Sequence, residues 1–183
     1  MNILFINACV RKQSRTLVLA KDILSKMQGN ITELDLAKEN LAPLNRESLE
    51  ERERLLHAGA TDAPMLKYAK QFAEADEIVL AAPFWDLSFP SILKIYIEQI
   101  TAAGITFEYR NGCPTGLCKA KRLIYVTTSG GEIFYDFGYA YVKALANNFF
   151  GIEDTICYRA TNLDVQAISA EALLREATIS TVK

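Results

Sequence analysis

The sequence predicts an α/β fold of three layers, with five parallel strands forming a central sheet and helices on both faces. Three observations carry that prediction. Apolar runs of strand length, at residues 2–7, 77–82 and 122–128, read as strands buried on both faces. Between them, apolar residues recur at helical spacing, as in Leu17, Leu19, Ala20, Ile23 and Leu24. Strand and helix alternate along the whole chain, the pattern of a parallel sheet with right-handed crossovers.

Element by element, the first strand, Asn-Ile-Leu-Phe-Ile-Asn at 2–7, leads through a polar loop at 8–16 into a helix running to about Met27, stopped by Gly29-Asn30. Residues 31–35 read as a short second strand. The segment 36–61 is the least regular, interrupted by Pro43, and its charged stretch 46–57 suits a solvated helix over a flap. Residues 64–75 are a better amphipathic helix, with Met65, Ala69, Phe72 and Ala73 on one face, and 77–82 is the most apolar strand. A loop at 83–90, bounded by Pro83 and Pro90, precedes a helix from Ser91 to about Ala103. The connection 104–121, with Asn111-Gly112 at its middle, suggests a small hairpin projecting from the body. Residues 122–128 form the fourth strand and 129–131 a turn. A helix over 136–150, a fifth strand over 155–159 and a closing helix from Val165 to about Ile179 complete the chain. No repeat or linker divides it, so 1–183 is expected to be one domain.

Composition narrows the classes of function. At 183 residues a single domain buries about 70% of its unfolded surface. Half the residues are hydrophobic and the net charge is only −2, which indicates neither disorder nor a nucleic-acid footprint. No run approaches the ~20 apolar residues of a membrane span, and Met1 leads straight into a strand, so a cytoplasmic protein is expected. The four cysteines, Cys9, Cys113, Cys118 and Cys157, are scattered, and His57 is the single histidine. A metal site would lack ligands.

The loop between the first strand and first helix dictates where a ligand's charge must sit. A helix that starts there aims its unpaired amides and the positive end of its dipole at the loop. Ser14 and Thr16 can cap the helix and donate hydroxyls to a phosphate, and Arg11, Lys12 and Arg15 add positive charge. The same residues also suit an ordinary capped helix with a solvated basic loop. In such a sheet ligands bind beyond the carboxyl ends of the strands, where strand order reverses. Three loops satisfy that condition: 8–16 for a phosphate, 83–90 with Phe84, Trp85 and Leu87 for a flat ring, and 128–131 with two glycines that let backbone amides approach a ligand. One molecule with a phosphate at one end and an aromatic heterocycle at the other fits all three.

Competing motifs are missing from the sequence. There is no Gly-x-Gly-x-x-Gly after the first strand and no Gly-x-x-x-x-Gly-Lys. A Gly-x-Ser-x-Gly elbow is also lacking, and one histidine without an acid partner argues against a hydrolytic triad. Chemistry without side-chain acids, bases or metals points to a cofactor that carries its own.

Four segments resemble those of a known family. They are Gln13-Ser-Arg-Thr-Leu17; Ala82-Pro-Phe-Trp-Asp-Leu87 with residues 91–96; Ala103-Gly-Ile-Thr-Phe-Glu-Tyr109 continuing through Asn111-Gly to Gly116-Leu117; and Thr127-Thr-Ser-Gly-Gly131. In order and spacing they are similar to the FMN-dependent NADH azoreductases and NAD(P)H quinone reductases of the flavodoxin-like fold. The resemblance implies strand order 2-1-3-4-5 and a homodimer with an FMN at each of two sites near the interface. It places Cys9, Gln13, Ser14, Arg15 and Thr16 about the phosphate. Pro83, Phe84, Trp85, Asp86 and Leu87 would line the isoalloxazine, and Thr128, Ser129, Gly130 and Gly131 would meet its pyrimidine edge. Tyr109 and Phe134 or Tyr135 would contribute aromatic walls for the substrate. FMN is the implied cofactor, with FAD the alternative, and NADH or NADPH the co-substrate.

The chain departs from that group's pattern in places. It has Ala8 and Cys9 where serine and proline are usual, and Asp86 where asparagine is usual beside N5 and O4 of the flavin. An ionised Asp86 facing the ring would oppose the charge that accumulates on reduction; alternatively only its backbone amide meets N5. The chain is also somewhat short between the second and third strands. The expected activity is ping-pong electron transfer from NAD(P)H to a quinone, an azo compound or a similar flat acceptor, with the flavin rather than a side chain doing the hydride chemistry. The alternatives are an electron carrier of the flavodoxin type and a cofactor-free binding module of the same fold.

Overall fold

The computed structural model describes residues 1–165, 169–177 and 181–182. In chain order the elements are β1 (Asn2–Asn7), α1 (Arg15–Ser25), β2 (Asn30–Asp35), α2 (Arg46–His57), α3 (Lys67–Glu74), β3 (Glu77–Ala81) and α4 (Ser91–Ile100). A hairpin of β4 (Phe107–Arg110) and β5 (Cys113–Gly116) follows, then β6 (Arg122–Thr128), α5 (Phe137–Leu145), β7 (Asp154–Ala160), α6 (Ala170–Ala177) and β8 (Thr181–Val182). The main sheet has the order β2-β1-β3-β6-β7-β8. Its first five strands are parallel and β8 lies antiparallel on the β7 edge. The expected order 2-1-3-4-5 is therefore present, with one short edge strand in addition.

Alternation along the strands divides the core in two. Ile3 and Phe5 of β1 face a cluster with Leu19, Ala20 and Ile23 of α1 and Ala177 of α6. Leu4 and Ile6 face the other side, with Phe72 of α3, Leu93, Tyr96 and Ile97 of α4, and Val142 of α5. β3 is buried along its whole length, as a strand covered on both faces must be. Phe150 packs edge-on against Phe72, with ring centroids 4.9 Å apart, and Phe149 packs against Phe107 at 5.1 Å. Both belong to the core.

Several boundaries differ from expectation for identifiable reasons. α1 ends at Ser25 rather than Met27, with Lys26 as its C-cap, and the chain then turns at Gly29, whose φ of +149 would bring a side chain within 2.7 Å of Met1 O. The helix expected over 64–75 opens with a 3₁₀ turn at Pro64–Leu66, where proline's missing amide costs nothing. The helix expected over 136–150 is α5 followed by a π turn, Ala146–Phe150, closed by left-handed Gly151. That turn is where the hairpin docks. A Cβ on Gly116 would sit 2.1 Å from Gly151 N, so only glycine lets the two backbones meet. The hairpin thus packs down at its base and projects only at its Asn111-Gly112 tip, where both residues have positive φ. The closing helix is described from Ala170, with Val165 outside it; the expected stretches 166–168 and 178–179 lie outside the described residues.

As expected, α2 is solvated: it buries no residue. Local contacts hold it, a reciprocal capping box between Asn45 and Ser48 and the Glu51–Arg54 pair. Arg52 Nη1 donates to Glu98 O at 2.7 Å and ties the helix to the end of α4. Among the described residues no helix is long and apolar enough to cross a membrane.

Candidate functional site

The parallel strands deliver their carboxyl ends to one edge of the sheet, and the loops after β1, β3, β6 and β7 meet there in one cleft. Its lining comprises Arg11, Gln13, Ser14, Arg15 and Thr16; Pro83, Phe84 and Trp85; Thr128, Ser129 and Gly130; and Asp164. Backbone bonds set the spacing between loops: Ala8 N donates to Ala81 O, Phe84 N to Thr128 O, and Ser129 N to Ala160 O. The cleft spans about 260 Å³, small beside the roughly 300–1,000 Å³ of a pocket that encloses a drug-sized ligand. An elongated ligand would therefore stand partly outside it.

At the polar end, Ser14 caps α1, its Oγ accepting from Leu17 N at 3.3 Å. The amides of Arg15 and Thr16 precede any helical acceptor and are free for a ligand. No acidic residue lies in the first turn, so the positive end of the helix dipole is unopposed there by its own helix. The Thr16 and Thr128 hydroxyls, both buried, lie 2.6 Å apart. One donates to the other, and the remaining hydroxyl hydrogen is available to a third partner.

The apolar end is shaped by a tight turn that the sequence does not advertise. Trp85 N donates to Ser88 O and Ser88 N to Trp85 O, at 3.1 and 2.7 Å. The two residues between them, Asp86 and Leu87, have φ of +51 and +64. This is the geometry of a two-residue hairpin turn, usually built with glycine or asparagine. Holding leucine in it costs about 1–3 kcal/mol. The turn keeps Phe84 and Trp85 half-buried in the cleft wall and turns Asp86 and Leu87 out to solvent. Arg11 lies over the Trp85 ring, its guanidinium carbon 5.5 Å from the centroid.

Of the residues expected to contact a cofactor, ten converge on the cleft and four do not line it. Cys9 is buried behind it, its amide donating to Asn7 Oδ1 and its thiol directed at Ala81 O. Burial pushes that thiol up to about 11, so it stays protonated at neutral pH. Asp86 and Leu87 stand at the exposed turn, and Gly131 sits beyond the rim. Gly131 O accepts from Ser129 Oγ and from Asn162 N. At Gly130 a Cβ would lie 2.0 Å from Asp164 Oδ2, so a larger residue there would displace that carboxylate.

Asp164 is the cleft residue that sequence reasoning missed. It takes its place through the chain's return after β7, where Asn162 in a left-handed conformation turns the backbone toward residues 129–131. It pairs with Arg15, whose guanidinium is consequently bound at its outer edge.

Beside the cleft mouth the surface is apolar. Phe134 is 84% exposed, Tyr135 66%, Phe137 59% and Leu87 49%. Phe137 N donates to Leu87 O, which joins this group to the turn after β3. The Tyr135 and Phe137 rings stack nearly parallel. Behind them Asp136 caps α5, accepting from Gly138 N and Tyr139 N at 2.9 and 2.8 Å, and its second oxygen pairs with Arg159. Tyr109, on the hairpin, is likewise exposed.

Comparison with known proteins places this architecture. A family model described as flavodoxin-like fold matches residues 1–180. A protein of Coprothermobacter proteolyticus, named FMN-dependent NADH:quinone oxidoreductase, is 35% identical over 91% of this chain and 88% of its own length. A Clostridium acetobutylicum protein, named FMN-dependent NADH:quinone oxidoreductase 2, is 37% identical over 94% of this chain and 92% of its own. Among solved structures, the azoreductase of Bacillus anthracis superposes with a TM-score of 0.83 at 24% identity, covering 98% of this chain and 95% of that one. A second structure, an FMN-dependent NADH-azoreductase from Bacillus anthracis in complex with FMN, has a TM-score of 0.80 at 24% identity, with coverage of 98% and 95%. At that identity the two structures speak to the fold alone.

Proposed function

The chain belongs to the flavodoxin-like family, in the group of the FMN-dependent NADH:quinone oxidoreductases, and from that premise we propose that it transfers electrons from NADH to quinones, azo compounds or similar flat acceptors, using FMN held in the cleft. The observation that carries the reading is the meeting of two unlike ends in one cleft. Unpaired helix amides and hydroxyls lie at one end and the Phe84–Trp85 wall at the other. The donor set fits a phosphate ester: the Arg15 and Thr16 amides, the Ser14 hydroxyl and the free hydrogen of the Thr16–Thr128 pair. The Trp85 and Phe84 side chains suit a flat ring.

FMN, when bound, supplies the two-electron carrier. The chain's own share is to hold, orient and shield. Phe84 and Trp85 exclude water from one side of a ring lodged against them. Leu87, Phe134 and Tyr135, exposed at the open side, offer an apolar approach to the nicotinamide and then to the acceptor. With no dinucleotide cradle in the sequence, both substrates use that approach in turn, and no side chain of the wall donates or removes a proton.

A second copy of the chain completes the site. The exposed aromatics of 134–137 adjoin Leu87 and continue into a groove lined by Ser88, Phe89, Lys94, Phe137, Ala140 and Tyr141. Apolar surface of this kind favours association, and Tyr109 is available to the same contact. The protein is a single domain over 1–183 that works as a homodimer in the cytoplasm, a setting supported by four free cysteines. Steady-state rates with NADH and a quinone varied together test the shared approach. Parallel double-reciprocal lines are expected, and lines that intersect would mean a ternary complex and defeat it.

A further inference from the structure

Arg15 begins the helix whose amides face the cleft, yet its guanidinium already has partners. Nη2 donates to Asp164 Oδ1 at 2.6 Å, and Nη1 donates to Leu163 O at 2.7 Å. The backbone beneath Asp164 is fixed. Asp164 N donates to Gly130 O at 2.9 Å, Leu163 N to Ser129 O at 3.2 Å and Asn162 N to Gly131 O at 3.2 Å. The side chain is freer, with 67% of it exposed. Its Oδ2 lies so close to Gly130 that any larger residue there would collide with it. A carboxylate thus stands within the cleft lining, between the loop after β6 and the start of α1.

For an anion arriving at α1 this has two effects of the same sign. The carboxylate occupies the guanidinium of Arg15 at the helix start, and its own charge repels a second anion nearby. The amides of Arg15 and Thr16 and the hydroxyls of Ser14, Thr16 and Thr128 are not engaged by it.

We infer that Asp164 is a specificity-determining residue of this site, competing with the ligand's phosphate for Arg15. Loading the cleft exchanges one partner of Arg15 for another while the Asp164 backbone stays bonded to 129–131. The carboxylate therefore limits how tightly a phosphorylated ligand is held and hastens its release. The inference rests on the flavin mononucleotide reading of the cleft, and it concerns the phosphate alone, not the ring.

The test compares the full-length wild type with Asp164→Asn, which keeps size and the backbone bonds. Each is titrated with FMN, riboflavin and inorganic phosphate, by flavin fluorescence quenching and, for phosphate, by the shift of the thermal midpoint. The expected result is FMN and phosphate held about tenfold more tightly by Asp164→Asn, with riboflavin unchanged and the FMN difference shrinking as salt is raised. In an Arg15→Gln background the same substitution should move FMN affinity by less than about threefold, because the contested cation is gone. Unchanged or weaker FMN binding by Asp164→Asn overturns the inference, as does equal tightening of riboflavin, which would place the carboxylate against the ring. If neither protein binds either flavin, the flavin reading fails, and the phosphate titration still decides whether Asp164 competes.

Discussion

Replacing Thr16 with valine removes one half of a buried hydroxyl pair and leaves Thr128 Oγ1 without the partner it has at 2.6 Å. Both residues are buried, at 1% and 7% exposure, so water replaces the lost partner poorly. A buried hydroxyl stripped of its partner costs about 1–3 kcal/mol, and taking about 2 kcal/mol lowers the thermal midpoint by roughly 4–8 °C in a chain of this size. Thr128→Val should cost about the same. In Thr16→Val/Thr128→Val neither orphan remains, and stability returns to within about 1 kcal/mol of the wild type. The coupling between the two sites is then about 3–4 kcal/mol, measured by urea denaturation of all four proteins. Flavin binding separates the structural from the functional role. The double variant is stable again but lacks the hydroxyl hydrogen that the pair can offer an anion, so FMN affinity stays reduced about tenfold, the worth of one hydrogen bond to a charged group. Additive stability losses would show that the two hydroxyls do not act as a pair, and a double variant that binds FMN like the wild type would show that the pair offers the ligand nothing.

Three further outcomes follow from the packing. Gly116→Ala puts a Cβ 2.1 Å from Gly151 N, a backbone atom that cannot step aside, and should cost about 3 kcal/mol or more in urea denaturation; Gly112→Ala, with open space around it, should cost only about 1 kcal/mol through its positive φ. Asp136→Asn keeps the α5 cap but strips Arg159 of its anion, and a loss of about 2–3 kcal/mol is expected, whereas a change below about 0.5 kcal/mol would show that the pair contributes nothing. Burial pushes the Cys9 thiol up to about 11 and the Cys118 and Cys157 thiols up to about 12, from 9.0. The unfolded chain therefore loses these protons first, stability is full below pH 9 and is lost as pH climbs through 11 and 12, and a thermal midpoint flat from pH 9 to 11 would contradict it.

The strands were legible because burial on both faces leaves uninterrupted apolar runs, as at Glu77–Ala81, and α1 because Ser14 and its apolar spacing are local signals. That Gln13, Ser14, Arg15 and Thr16 lie together at the polar end of the cleft was readable for the same reason, since they are consecutive. What escaped depends on contacts between distant parts of the chain. Asp164 meets Arg15 across 149 positions, and nothing near either residue announces the other. The turn at Asp86-Leu87 puts leucine, which seldom takes positive φ, where glycine is usual, so turn chemistry gave no warning. Cys9 was drawn into the site by its place in the loop, whereas the chain there dips back toward Ala81. The π turn at Ala146–Phe150 answers to Gly116, 30 or more residues earlier, through the close approach of the hairpin.

The proposed activity requires that this cleft hold a flavin that NADH can reduce. The direct measurement is the visible absorption spectrum of the purified protein after addition of FMN and removal of the excess, followed by NADH under anaerobic conditions. Retained flavin bands that bleach when NADH is added are expected. Bands that persist unbleached would contradict the proposed use of NADH, and a colourless protein would contradict the assignment of the cleft itself.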